Sequence, residues 1–187
     1  MSTTGTGVIG RYEYIDYTNP DDVFRPYDPR APEVADRVMT LIRERMPAAR
    51  LEHVGSTAIS GCHGKGPVDL LLLYPPGQLA AARDAMDGLG FQRHEQPGAF
   101  PEERPVRIGT LLHDGDVFRL HVHVVAADSP EVEELLRFRD ALRANPDLVA
   151  EYVALKQAVI AAGISDNSAY TDGKEAFIQR VKSGELR

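Results

Sequence analysis

The chain has 187 residues, of which 43% are hydrophobic and 26% are charged, a composition typical of a folded globular protein. Its net charge of −7 at pH 7 makes nucleic acid an unfavourable partner, and its single cysteine, Cys62, excludes an intrachain disulfide and a cysteine-rich zinc site. The first residues lack the pattern of a signal peptide, and no apolar stretch approaches membrane-spanning length. We therefore expect a cytoplasmic protein with no membrane partner, and its oligomeric state stays open.

Residues 1–22 have weak periodicity and predict a partly flexible N-terminal arm. Within this arm, the alternation from Tyr12 to Tyr17 indicates an edge strand or an extended segment, and residues 19–22 indicate a turn. A helix is predicted next, because Pro32 suits a first helical turn. Its apolar stripe at helical spacing consists of Val34, Val38, Leu41, Ile42 and Met46.

The remaining elements follow from periodicity and turn residues. We predict a short strand at 51–54, a helical turn at 56–59, a central strand at Val68–Tyr74 and a helix at 78–89. Strands at 107–113 and 117–125 form a predicted hairpin, because Asp114-Gly115 between them is a strong hairpin signal. From Ser129 onwards the pattern is helical, and the break at 145–147 predicts a C-terminal helical hairpin.

Two stretches carry groups suited to chemistry. In the first, the Gly55-Ser56-Thr57 turn can bind phosphate, and Asp69 is costly to bury in its apolar strand unless a metal ion or a cation pairs with it. The alternative is a plain turn and a buried strand with Asp69 at an exposed end. In the second, alternation places Arg119, His121 and His123 on one face of a strand. Two such histidines can bind a metal or contact a phosphate, or they belong to a half-exposed polar face.

These stretches resemble the GrpB family of the nucleotidyltransferase superfamily, whose best-known fold is the DNA polymerase β type. The similar residues near the first stretch are Glu52-His53-Val54-Gly55-Ser56-Thr57-Ala58, Gly61, Lys65 and Pro67-Val68-Asp69. His121-Val122-His123-Val124 is similar to the family's His-Leu-His-Val, and further blocks are Phe138-Arg139-Asp140, Leu142-Arg143, Tyr152, Leu155-Lys156 and Ala169 to Lys174. The superfamily strand reads Asp-apolar-acid, and Leu71 departs from it. The resemblance covers about residues 23–182.

The resemblance implies an α/β (α+β) fold, with a nucleotidyltransferase-like mixed β-sheet flanked by helices and a C-terminal helical hairpin. Residues 23–187 would then form a single domain behind the arm at 1–22. It also implies a metal-dependent nucleotidyltransferase that moves a nucleotide group from a nucleoside triphosphate to a small-molecule acceptor. The alternatives are a degenerate relative that binds a nucleotide or phosphorylated metabolite without turnover, and a different transferase or hydrolase that uses the His121/His123 pair.

The site residues carried over from the resemblance fall into two sets. Asp69, His121 and His123 are the expected catalytic residues and metal ligands, for Mg²⁺ or, if the histidines coordinate, Mn²⁺ or Zn²⁺. The expected substrate and phosphate contacts are Gly55, Ser56, Thr57, Lys65, Arg119, Tyr170 and Lys174.

Overall fold

The computed structural model describes residues 9–17, 19–95, 99–163 and 167–185. The predicted flexible start at 1–8 therefore lies outside the described residues. The chain forms two compact units, and the first comprises the described residues of Met1–Glu13, Arg30–His53 and Pro67–Ser129. The second comprises those of Tyr14–Pro29, Val54–Gly66 and Pro130–Arg187. The division into an arm at 1–22 and one domain at 23–187 stays a prediction.

A mixed five-stranded sheet forms the centre of the first unit, in the order β1-β2-β5-β4-β3. Strand β2 pairs with β5 in parallel, whereas the β5–β4 and β4–β3 pairs are antiparallel. The strands are β1 (Arg50–Val54), β2 (Val68–Tyr74), β3 (Gln92–Arg93), β4 (Val106–His113) and β5 (Asp116–Ala126). The predicted mixed sheet and the bounds of the predicted central strand are therefore confirmed.

Helices α2 (Ala31–Arg45) and α3 (Leu79–Gly88) pack on one face of this sheet. The apolar stripe of α2 meets every second residue of β2 and β5, because successive strand residues point to opposite faces. The core between them includes Val34, Val38, Ile42, Leu70, Leu72, Met86, Val122 and Val124, all buried. Asp69 and the two histidines lie on the other face of β2 and β5.

The β4–β5 hairpin turns at Asp114 and Gly115, as predicted. Both have positive φ, 49° and 85° respectively, which is the backbone that a two-residue hairpin turn requires. Along β5, Leu120, Val122 and Val124 are fully buried on the core face. Arg119, His121 and His123 are half-buried on the opposite face, so the predicted alternation is confirmed.

The described part of the N-terminal arm lies along β4. The amide of Gly10 donates to the carbonyl of Thr110 at 2.8 Å, and the amide of Thr110 donates back at 3.0 Å. Tyr12 follows, and its ring is buried against Val106 and Ile108. The arm thus forms an isolated bridge at Gly10 rather than an edge strand at 12–17, which supports the extended interpretation of this segment.

Arg107 on β4 anchors the loop that precedes it. Its side chain is fully buried and donates to both carboxylate oxygens of Glu102, at 2.9 and 3.0 Å, and to Asp87 at 2.7 Å. Arg83 also lies 3.7 Å from Glu102. A guanidinium group matches a carboxylate in this two-bond geometry. The segment around Glu102 is therefore tied to the sheet and to α3.

The second unit is helical. It contains α1 (Pro20–Val23), α4 (Pro130–Ala144), α5 (Pro146–Ala161), α6 (Asn167–Asp172) and α7 (Glu175–Ser183). The predicted hairpin of α4 and α5 is confirmed, and Asn145 caps α5 by accepting from the amides of Asp147 and Leu148. At 19–22, the expected turn is instead continued as the short helix α1. Among the described residues, no helix is long and apolar enough to span a membrane.

Candidate functional site

Asp69, His121 and His123 come together in the middle of the sheet of the first unit. The parallel register places Asp69 opposite His121 and Leu71 opposite His123. The Oδ1 atom of Asp69 lies 3.3 Å from Nδ1 of His121 and 3.8 Å from Nε2 of His123. Their side chains are 20–25% exposed, so the group is in contact with solvent. The three predicted catalytic residues therefore form one cluster.

The two histidines keep the carboxyl of Asp69 ionised. Burial by itself would raise the pKa of Asp69, but hydrogen bonds and charge interactions with His121 and His123 hold this pKa well below its usual range. A carboxylate of such low basicity is a poor proton acceptor. Asp69 is therefore a negatively charged hydrogen-bond acceptor beside the two imidazoles.

Each imidazole has a second partner that the sequence did not reveal. The hydroxyl of Tyr12 lies 2.7 Å from Nε2 of His121, and the two ring centroids are 5.3 Å apart. Nη1 of Arg104 lies 3.2 Å from Nδ1 of His123. Phe100 lies beside the same imidazole in an edge-on arrangement, with its centroid 6.0 Å away and half of its surface exposed. The site thus gains residues from the arm and from a loop.

The donor set does not fit a centre of two magnesium ions. Mg²⁺ takes oxygen ligands, and this cluster offers one carboxylate and two imidazoles. The position of the second acid is Leu71, whose side chain is fully buried. Imidazole nitrogen suits Zn²⁺ and other transition metals better than Mg²⁺. In the described part of the chain, no group of three or more histidine, cysteine, aspartate or glutamate side chains is arranged to hold a metal ion. Metal binding by Asp69, His121 and His123 therefore stays a prediction.

Arg119 lies on the histidine-bearing face of β5, across from Thr110 on β4. Strand alternation places its Cβ on the same side as those of His121 and His123. Its side chain is half-buried. The structure therefore puts Arg119 on the predicted face, and contact with a substrate stays a prediction.

The predicted phosphate-binding turn belongs to the second unit. Gly55 has φ of 71°, a conformation that favours glycine, and Ser56–Ala58 form a single 3-10 turn behind it. Arg143 donates to the carbonyl of Ala58 at 2.8 Å and fixes the end of this turn. Thr57 is buried. Local backbone geometry thus agrees with a close approach of a ligand at Gly55 and Ser56, and phosphate binding stays a prediction.

Lys156 on α5 lies beneath this turn. Its side chain is 1% exposed, and its ammonium group donates to Ser56 Oγ at 3.2 Å, to Cys62 Sγ at 3.3 Å and to the carbonyl of His63. Burial lowers the pKa of Lys156, and the nearby Cys62 partly offsets that effect. A buried ammonium group therefore holds the Ser56 hydroxyl and the following glycine loop in place.

Two predicted substrate residues, Lys65 and Lys174, lie over the aromatic ring of a third, Tyr170, in the second unit. The ammonium of Lys65 lies 4.9 Å from the ring centroid of Tyr170, and that of Lys174 lies 4.0 Å from it. Lys65 also donates to the hydroxyl of Tyr17 at 3.0 Å. Tyr170 is 2% exposed, and burial raises its pKa above the usual value. The ring thus positions two cations, and a direct substrate contact by Tyr170 stays a prediction.

Comparison with known proteins identifies the family. The family model described as GrpB protein matches residues 23–183. A UPF0157 protein of Pseudomonas aeruginosa is 32% identical over 180 residues, which cover 91% of this chain and 72% of the relative. The crystal structure of GrpB from Enterococcus faecalis matches with a TM-score of 0.68 at 22% identity, over 87% of this chain and 96% of that one.

A more distant likeness bears on the fold alone. The non-canonical poly(A) polymerase complex GLD-2–GLD-3 matches with a TM-score of 0.52 at 15% identity, over 73% of this chain and 46% of that one. The fold is therefore nucleotidyltransferase-like, as the sequence resemblance implied. Because the family model spans most of the chain, the protein belongs to the GrpB family.

Proposed function

We propose that this protein transfers a nucleotidyl group from a nucleoside triphosphate to a hydroxyl or amine of a small-molecule acceptor. The observation that supports this proposal is the cluster of one ionised carboxylate and two imidazoles, Asp69 with His121 and His123, on a nucleotidyltransferase-like sheet. Fold alone does not determine function. A partly exposed carboxylate with a strongly lowered pKa is typical of a functional site.

In the proposed reaction, the acceptor oxygen or nitrogen attacks the α-phosphorus, the bond from that phosphorus to the bridging oxygen breaks, and pyrophosphate leaves. The proton of the acceptor moves to Nε2 of His121, where the acceptor hydroxyl or amine replaces the Tyr12 hydroxyl as hydrogen-bond donor. Histidine is suited to general-base catalysis near neutral pH. The ionised Asp69 then stabilises the imidazolium, as a carboxylate does beside a catalytic histidine. Phosphate binding by Ser56, Lys65 and Lys174 of the second unit stays a separate prediction.

A second candidate is a protein that binds a nucleotide or a phosphorylated metabolite without turnover. Leu71 supports it, because a fully buried apolar side chain stands where the superfamily has its second acid. Without that acid, the usual pair of metal ions loses a bridging ligand, and two-metal stabilisation of attacking and leaving oxygens is weakened. Binding would survive this loss, while turnover would not.

The experiment is a thermal-shift screen followed by a pyrophosphate-release assay. The full chain is tested with the four nucleoside triphosphates and their deoxy forms, each with Mg²⁺, Mn²⁺, Zn²⁺ or chelator, since the cofactor is still a prediction. A ligand at 100 times its dissociation constant stabilises the folded state by about 2.7 kcal/mol, which such a screen detects. Positive nucleotides are then mixed with pools of hydroxyl- and amine-bearing acceptors.

Asp69→Asn is the diagnostic variant, and Asp84→Asn, an exposed change on α3, is its matched control. A nucleotide shift with pyrophosphate release, both lost in Asp69→Asn but kept in Asp84→Asn, would support the transferase. A shift that Asp69→Asn reduces, without release of pyrophosphate, would support the binding protein. The absence of a shift with every nucleotide would refute the transferase and nucleotide binding alike.

A further inference from the structure

Each ring nitrogen of His121 and of His123 lies near a polar group of another residue. In each ring the inner nitrogen faces Asp69 Oδ1, at 3.3 Å for Nδ1 of His121 and 3.8 Å for Nε2 of His123. The outer nitrogens face Tyr12 at 2.7 Å and Arg104 at 3.2 Å. Because a neutral imidazole carries one hydrogen, the partners on the two sides decide which nitrogen holds it.

For His123, Arg104 decides the position of the hydrogen. A guanidinium group stays protonated in proteins and has donors but no acceptor. The Nδ1 atom of His123 must therefore be the acceptor of the Arg104 hydrogen bond. A ring that accepts at Nδ1 carries its hydrogen on Nε2, and this nitrogen lies 3.8 Å from Oδ1 of Asp69.

For His121, Asp69 and Tyr12 act together. The ionised carboxylate of Asp69 accepts and does not donate, so Nδ1 of His121 carries a hydrogen. In the neutral ring Nε2 is then an acceptor, and the Tyr12 hydroxyl donates to it. The Tyr12 hydroxyl, the His121 imidazole and the Asp69 carboxylate thus form a row in which each group orients the next, as in hydrolase triads.

We propose that Tyr12 and Arg104 are positioning residues that fix both imidazoles as N–H donors towards Asp69, so that the cluster is a carboxylate–imidazole proton-transfer centre in which His123 does not ligate a metal. Metal ligation by Nε2 of His123 needs the lone pair of that atom, and a ligating histidine normally donates its other N–H to an acceptor. Arg104 is itself a hydrogen-bond donor, so it cannot accept an N–H from Nδ1 of His123. The contact between Arg104 and His123 and a metal on Nε2 therefore exclude each other.

Tyr12 makes this arrangement a feature of the arm. The family model begins at residue 23, so Tyr12 lies outside the matched region. Its position is set by backbone contacts, since the amide of Tyr12 donates to Gln92 at 3.1 Å and Gly10 pairs with Thr110. The inference concerns hydrogens on two rings and holds whether or not a triphosphate is the substrate. Its failure is therefore distinguishable from failure of the proposed function.

The first test reads the tautomers by long-range ¹H–¹⁵N correlation on the full chain with ¹⁵N-labelled histidine. His121→Gln and His123→Gln assign the two rings among the six histidines. We expect hydrogen on Nδ1 of His121 and on Nε2 of His123. Tyr12→Phe should shift Nε2 of His121 and leave His123 unchanged, whereas Tyr14→Phe, an exposed change in the same arm, should shift neither.

The second test adds Zn²⁺ and uses Arg104→Gln, because the amide oxygen of glutamine can accept from Nδ1 and free Nε2 for a metal. Loss or gain of an orienting partner changes metal affinity by about 10–100-fold. We expect Arg104→Gln to bind Zn²⁺ at least about tenfold more tightly than the wild type, with His123 Nε2 shifting, while Arg11→Gln matches the wild type. The proposal is overturned if wild-type His123 carries its hydrogen on Nδ1, or if it binds Zn²⁺ through Nε2 as tightly as Arg104→Gln does.

Discussion

Glu102→Gln is the substitution from which we expect the clearest loss of stability in the first unit. Glu102 accepts two hydrogen bonds from Arg107, at 2.9 and 3.0 Å, and Arg107 is fully buried. The glutamine amide keeps one oxygen acceptor and loses the negative charge. Arg107 then retains Asp87, at 2.7 Å, as its charged partner. Because Arg107 is fully buried, water cannot replace the hydrogen bond and the negative charge that its guanidinium group loses.

The expected magnitude follows from these contacts. Hydrogen bonds to charged groups contribute about 1.5–3 kcal/mol each, and a neutral bond contributes about 1 kcal/mol. The remaining glutamine oxygen still accepts from a charged guanidinium, so the substitution loses one of two such bonds, which at the lower end of their range costs about 1.5 kcal/mol. An exposed ion pair is worth about 0.2–1 kcal/mol by comparison. Glu102→Gln should therefore lower the free energy of unfolding by more than the loss of an exposed ion pair does.

Urea unfolding followed by circular dichroism measures this difference as a shift of the midpoint at constant slope. The matched control is Asp116→Asn, which removes the ion pair between Asp116 and Arg30, where the Asp116 side chain is 65% exposed. We expect the control to lose less than about 1 kcal/mol. The reasoning is refuted if Glu102→Gln lies within about 0.5 kcal/mol of the wild type, or loses no more than Asp116→Asn.

The ion pair between Glu102 and Arg107 should also make the free energy of unfolding depend on pH. Hydrogen bonding to Arg107 lowers the pKa of Glu102 from its usual value of 4.5, more than burial raises it. A carboxyl group whose folded pKa is lowered contributes stability that is fully present above its unfolded pKa, here about 4.5, and is lost as pH falls through the folded value. The difference between wild type and Glu102→Gln should therefore be constant at neutral pH and shrink below about pH 4.5.

Three further substitutions probe the arm, the loop and the second unit. Gly109→Ala places a Cβ 2.4 Å from a side-chain atom of Ile9 in the arm, and this overpacking should destabilise the contact by about 1–3 kcal/mol. The variant should therefore be cleaved by trypsin after Arg11 faster than the wild type, whereas Gly88→Ala, whose Cβ meets nothing within 4 Å, should not. Phe100→Ser should weaken nucleotide binding in the thermal-shift screen by about 1–3 kcal/mol if the exposed ring stacks on a base; unchanged affinity would remove it from the site. Lys156→Met should change the free energy of urea unfolding by less than about 2 kcal/mol, because lost hydrogen bonds are offset by the removed cost of burying a charge; a larger loss would contradict this balance.

Local signals explain what the sequence could predict. The bounds of β2 follow from an apolar run that only Asp69 interrupts, and the β4–β5 hairpin follows from Asp114-Gly115 between two periodic segments. Once β5 is a strand, alternation puts His121 and His123 on one face. These inferences need only neighbours in the chain, and each was confirmed in the structure.

Tertiary placement explains what the sequence could not predict. Tyr12 is 109 residues from His121, and the segment around it has too little periodicity to indicate where it packs. Arg104 lies in a loop rich in proline and charge, where composition predicts no partner. Even Asp69 could be read as a strand end until the parallel register with β5 showed which groups face it. The hydrogen-bond partners of the site therefore come from residues far apart in the chain, which periodicity and composition do not predict.

The bridge at Gly10 also closes part of an open sheet edge. Strand β3 pairs with β4 at Arg107 and Ile108, and Gly10 takes both main-chain groups of Thr110 further along the same edge. An uncovered edge strand is a template on which a second chain can add its own strand. Release of the arm would therefore expose β4 to strand addition between molecules. The arm that carries Tyr12 thus also covers main-chain groups of β4 with which another strand could pair.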